Sequence, residues 1–296
     1  FSGDSSLKSF ACPSSLTKLG EYCFNGAKAL TTVTYNSKLT TWGERVFNGC
    51  TSLTEATVPG TLTAIGAYPF RDCTALKKIT VSEGVTYIPC LTWGNYVLQE
   101  IVIPSTVKNG EFYNYLHLDK YTVSALNSYY TSVDGVLFNK NKTTLVSYPT
   151  TKSDVYYKIP DSVKTINTLA FNLTKGLKYL DMSSCGVTVI ETDTFNQTQT
   201  IDNINLPSKL TTIRSKGFQR TSFEAIYVPS TVTSIASDAF YIDLAGSTSY
   251  NIPEFYTNSS TAKIVEFAGS HAYKFTVHSS HGYNKALAYM GANICT

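Results

Sequence analysis

A chain of 296 residues that is 43% hydrophobic can bury a sizeable core, yet only 15% of it is charged, against roughly 25% in ordinary soluble domains. Its net charge of +3 comes from scattered Lys and Arg, which excludes a nucleic-acid partner held by a basic surface, and no apolar run reaches the ~20 residues needed to span a bilayer. Ser, Thr, Asn and Tyr replace the missing charges, as suits a β-rich surface.

The opening residues Phe1, Ser2, Gly3 and Asp4 lack the charged and apolar regions of a secretory signal, and without Met the chain reads as a trimmed piece. From residue 7 a repeat takes over. Its first mark is an aliphatic or Trp pair followed by an aromatic: Leu16, Leu19 and Phe24; Leu39, Trp42 and Phe47; Leu62, Ile65 and Phe70; Val85, Ile88 and Trp93. Those aromatics are spaced 23 residues apart. Between them runs a period-two alternation that predicts strands with one buried face, as at Leu30-Val33-Tyr35, Leu53-Ala56-Val58, Leu76-Ile79-Val81, Leu98-Ile101-Ile103 and Leu118-Tyr121-Val123. Pro59, Pro104, Pro160, Pro207 and Pro229 follow strands and end them, because Pro offers no backbone donor.

The first repeat block covers 7–123. Gly110 stands where Ile is expected after Val107, so that turn of chain is expected to be shortened or open. An interruption at 124–152 follows. Asp134-Gly135 is a strong hairpin turn signal, and residues 139–142 offer a second turn before another apolar run. The second block, 153–246, restores the aromatic pattern at Val163, Ile166 and Phe171; Val187, Ile190 and Phe195; Leu210, Ile213 and Phe218; Val232, Ile235 and Phe240. Its strands are expected around Leu177-Leu180-Met182, Ile201-Ile204-Leu206 and Phe223-Ile226-Val228. The tail, 247–296, loses the period and is read as a C-terminal cap, with a short helix expected within 283–290.

One turn of such a chain cannot bury both apolar rows alone. Stacking turn on turn does, with equivalent strands about 4.7–4.9 Å apart. The expected architecture is therefore a single β-rich solenoid over 1–296 in which the Phe, Ile and Leu rows are core.

These residues resemble the BspA-type leucine-rich repeats of microbial surface proteins. The likeness is carried by Val228, Pro229, Val232, Ile235, Ala239 and Phe240, by Ile159, Pro160, Val163, Ile166, Ala170 and Phe171, and by Leu62, Ile65, Phe70, Cys73 and Leu76. It covers residues 7 to 250, and the segment from Tyr129 to Pro149 looks like the β-hairpin insert that many such proteins carry. The resemblance implies a right-handed leucine-rich-repeat superhelix with parallel strands on its concave face. It also implies an extracellular or cell-surface location and a role in adhesion or protein recognition, with no reaction and no shared active site.

No GxSxG, HExxH, P-loop or GxGxxG motif occurs, so no catalytic residue and no cofactor is assigned. His271, His278 and His281 lie close together in the tail, but neither carboxylate nor Cys shares a regular spacing with them or with His117, and no metal is assigned. Seven cysteines occur without a CxxC pair. Cys50 and Cys73 share a register that permits a disulfide; a ladder of buried thiols is the favoured reading. Asn141, Asn172, Asn196 and Asn258 begin glycosylation sequons of the kind a Thr-rich chain produces by chance.

The outward strand positions form two columns. Glu55, Lys78, Glu100 and Lys120 alternate in sign on successive rungs and are expected to neutralise one another. Farther along, Tyr156, Lys158, Tyr179, Asp181, Asn203, Asn205 and Tyr227 gather into a polar, tyrosine-rich patch, the candidate surface for a partner. Strand stabilisation is the competing explanation for those tyrosines. The function expected is a monomeric, non-enzymatic binding module for a protein partner, from host matrix, host cell or another microbe. A structural stalk displaying another domain is the alternative, and a carbohydrate-processing enzyme has little to support it.

Overall fold

The computed structural model describes residues 1–198, 200–221 and 226–241, together with the backbone of Ala225 and of the strands Glu254–Thr257 and Val277–His278. The expected cap helix at 283–290, the row residue Phe223, His271, His281 and the sequon at Asn258 lie outside the described residues. The chain forms two compact units, residues 1–141 with 147–151, and residues 142–146 with 152–296. Each is a parallel β-solenoid.

In the first unit the strands Glu55–Val58, Lys78–Val81, Glu100–Ile103 and Lys120–Val123 form one parallel sheet. A narrower second sheet joins Lys18–Leu19, Thr41–Trp42 and Ala64–Ile65. The alternation works as expected: Ala56, Val58, Ile79, Val81, Ile101 and Ile103 turn inward and are buried. Leu30, Leu53, Leu76, Leu98 and Leu118 form a second buried row. Phe24, Phe47 and Phe70 stack in successive turns with ring centres 5.3 and 5.5 Å apart and planes within 8°. The second unit repeats this arrangement. Tyr156–Lys158, Tyr179–Asp181, Asn203–Asn205 and Ala225–Val228 pair in parallel, and Phe171, Phe195, Phe218 and Phe240 stack 5.0–5.2 Å apart.

Around Phe24, Phe47, Phe70, Phe171, Phe195 and Phe218 the chain bends at two left-handed corners, two residues before and two after the ring. Tyr22, Arg45 and Tyr68 hold φ of 51–53° at the first, and Gly26, Gly49 and Asp72 hold 54–71° at the second. Leu169, Asp193 and Lys216, with Leu173, Gln197 and Arg220, repeat both corners in the second unit. Non-glycine residues there carry local strain that the surrounding ladder overrides.

Three expectations need correction or refinement. Trp93 does not continue the aromatic row. Phe47 donates its amide to Pro69, but Phe70 donates to Leu91, so Thr92 takes the Phe register and Trp93 is turned out, 36% exposed. One residue fewer in that turn shifts everything behind it. Gly110 does not open its turn: it pairs in register with Ile88, and the Phe112 ring occupies the space a side chain there would need. That turn is nonetheless short, since Lys120 pairs with Glu100. Finally, the tail continues the ladder before any cap, because Glu254–Thr257 pairs with Ala225–Val228 and Val277–His278 pairs with Glu254–Thr257.

The hairpin forms as expected. Tyr130–Val133 and Val136–Asn139 are antiparallel around Asp134 and Gly135, whose φ values of 48° and 81° are those of a tight primed turn.

Candidate functional site

The charge column of the first unit is in register along all four rungs. Glu100 sits at its centre, 3.1 Å from Lys78 and 3.5 Å from Lys120, and accepts the Thr122 hydroxyl at 2.6 Å. Glu55 forms no ion pair among the described residues. The column thus neutralises itself around one carboxylate and not rung by rung.

In the second unit, register sets Tyr156 beside Tyr179, Tyr179 beside Asn203, Lys158 beside Asp181 and Asp181 beside Asn205. Asp181 is the centre of the patch. Its Oδ2 accepts the Tyr156 hydroxyl at 3.3 Å, and its Oδ1 accepts the Asn205 amide at 3.1 Å and the Ser183 backbone amide at 3.0 Å. Tyr156 is 42% exposed, and burial first, then the Asp181 charge, pushes its phenol pKa up. Tyr156 therefore presents a neutral ring whose tip is anchored.

Not every expected member joins in. Lys158 turns away from Asp181 and pairs with Asp161 at 3.7 Å, and the Ser184 hydroxyl donates to that same oxygen of Asp161. Asn203 is only 4% exposed, and its Nδ2 has no hydrogen-bond partner among the described residues. Tyr179 and Tyr227 are half-buried. Asp161, Ser183 and Ser184 were not legible as neighbours, because they lie past the strand ends, where the alternation stops.

Cys50 and Cys73 are free thiols. Each donates to the carbonyl of a Phe, Cys50 to Phe24 at 3.3 Å and Cys73 to Phe47 at 3.1 Å. Thr hydroxyls do the same in turns without that Cys: Thr92, from the Phe register, donates to Phe70, and Thr174 and Thr198, from the Cys register, both donate to Phe171, each at 2.7 Å. The sequons at Asn172 and Asn196 thus end in buried, engaged hydroxyls, whereas Asn141 is exposed.

Among the described residues no three His, Cys, Asp or Glu side chains converge as metal ligands, and no helix is long and apolar enough to cross a membrane. His117 faces the Leu98 carbonyl at 2.8 Å through Nδ1, with the Thr151 hydroxyl beside it at 3.2 Å.

A family model for the BspA type leucine rich repeat region matches six copies across residues 1–120 and 125–246. No curated protein matches the chain significantly. Among solved structures, the pneumococcal vaccine antigen PcpA is 25% identical with a TM-score of 0.70, over 92% of this chain and 79% of that one. A leucine rich cell surface protein from Faecalibacterium prausnitzii is 22% identical with a TM-score of 0.53, over 93% and 88% respectively, a likeness of fold.

Proposed function

Because the chain belongs to the BspA-type leucine-rich-repeat family, we propose that it is a cell-surface or secreted protein that binds protein partners through the outward strand face of its second unit. The observation that carries this reading is the Asp181 centre, which fixes Tyr156 and Asn205 in place while leaving the Tyr156 ring open to solvent. A large, rigid side chain with a polar tip loses little entropy on binding, and interfaces favour it for that reason. A non-enzymatic role is part of the same reading and draws on the family. The surface location draws on PcpA and the Faecalibacterium protein, a vaccine antigen and a cell surface protein by name.

A spacer role is the second reading. The first unit's strand face favours it there, since Glu100 is matched by two lysines and the neighbouring column begins with Thr57 and Thr80. The test is a binding panel of immobilised extracellular-matrix and cell-surface proteins, with the wild type against a Tyr156→Ala, Tyr179→Ala, Tyr227→Ala triple variant. Loss of binding in a folded triple variant is expected. Undiminished binding by that variant, or no binding by the wild type, sinks the reading.

A further inference from the structure

Away from the strand columns, the first unit holds a carboxylate among tyrosines. Glu111 follows Gly110 and is fixed by its backbone N–H, which donates to the Ile88 carbonyl at 2.8 Å. Its Oε1 accepts the Tyr87 hydroxyl at 2.9 Å, and its Oε2 accepts the Cys90 backbone amide at 3.1 Å. Tyr68 sits on a left-handed corner and is tied to the same segment by its backbone N–H, which donates to the Cys90 carbonyl at 2.8 Å. Tyr113 lies close enough that the Glu111 charge, after burial, raises its phenol pKa; for Tyr68 burial and Cys90 come before Glu111. Tyr87 is 43% exposed and Tyr68, Glu111 and Tyr113 are half-buried, so the cluster opens to solvent.

Glu111 has no ion pair among the described residues. The two arginines nearby are already engaged: Arg45 pairs with Glu44 at 3.1 Å and donates to Tyr22, lying 5.7 Å from its ring centre, and Arg71 pairs with Asp72 at 3.3 Å. A half-buried carboxylate that forms no ion pair among the described residues attracts a cationic group by charge, and a cation that settles against the neighbouring tyrosine rings gains cation–π attraction as well. Each carboxylate oxygen already accepts one bond, which breaks up the pair of parallel acceptors that a guanidinium fork prefers. A compact ammonium with freely turning donors fits what remains.

We propose that Tyr68, Tyr87, Glu111 and Tyr113 form a receptor for a lysine side chain of a protein partner. The surface is distinct from the Asp181 patch and does not depend on it. The probe is the peptide acetyl-Gly-Lys-Gly-amide, titrated into the full chain while tyrosine ring signals are followed by NMR, with the Nε-acetylated peptide as control. Saturable shifts with a dissociation constant on the order of millimolar are expected for the free amine, weakening as salt rises, with none for the acetylated peptide. Glu111→Gln should weaken binding at least tenfold, while Tyr87→Phe, which keeps the ring, should cost no more than a few-fold. Equal binding of both peptides, absence of saturation, indifference to salt, or undiminished affinity in folded Glu111→Gln each overturns the proposal. The salt and acetylation arms need only the wild type, so they decide the matter even if Glu111→Gln does not fold.

Discussion

The Cys73 thiol donates to the carbonyl oxygen of Phe47, one turn back, at 3.1 Å, and both residues are fully buried. The same carbonyl also accepts the Cys50 amide at 3.2 Å, so the thiol supplies its second bond. Burial first, then the neighbouring Cys50, pushes the Cys73 thiol pKa well up, which keeps it protonated and a donor. Cys73→Ala should lower stability by about 1–3 kcal/mol through the small cavity and the lost bond. Cys73→Thr restores the donor used at Thr198 and should recover most of that. Urea unfolding checks both, and Cys50 and Cys73 should each count as free thiols in the denatured protein.

The aromatic stack makes a second prediction. Phe195 lies between Phe171 and Phe218 with ring centres 5.0 Å away on each side. Phe195→Ala should cost about 3–5 kcal/mol. Because turns of a solenoid touch mainly their neighbours, the loss should spread through the second unit before it reaches the first. Hydrogen exchange resolved by segment would reveal this; uniform loss of protection over the whole chain would contradict it.

Gly66 makes a third. Its amide bonds to the Trp42 carbonyl at 2.9 Å, and a Cβ there would fall far inside contact distance of the Glu44 backbone nitrogen. Backbone cannot swing aside as a side chain can, so Gly66→Ala should destabilise the first unit by more than 1 kcal/mol. Tyr96→Ala, at an exposed position, should change stability little. Thermal melting of the two variants side by side is the check.

Glu100 makes the fourth, in pH. Burial on its own raises its carboxyl pKa, but the Thr122 hydroxyl, Lys78 and Lys120 outweigh burial and hold the pKa below the ordinary value. A folded pKa below the unfolded one, about 4.3, means stability that is present above that pH and lost as pH falls through the folded value. Glu100→Gln should therefore be less stable than wild type at neutral pH, and the gap should close below about pH 4. A gap that stays constant across that range would show that the ion pairs contribute nothing.

Much of this protein is legible before any coordinates. Eight recurrences of one apolar pattern at nearly constant spacing require stacked turns, since a single turn cannot bury its own rows. From that follow the buried Phe stack, the inward Leu row and the register of Glu55, Lys78, Glu100 and Lys120, and the Asp134-Gly135 turn signal adds the hairpin in the interruption.

Tertiary structure decided the rest, because a count of residues fixes a register only while every turn has the same length. One missing residue before Thr92 put Trp93 outside and Thr92 inside. The Phe112 ring, reaching back over Gly110, filled a turn that the sequence left empty. Asn203 occupies an outward position by alternation yet is covered, and Lys158 pairs beyond its own column with Asp161. Above all, which carboxylates are paired is a matter of side-chain reach in three dimensions: Glu100 lies between two lysines, while Glu111 is held by Tyr87 and a backbone amide and forms no ion pair among the described residues.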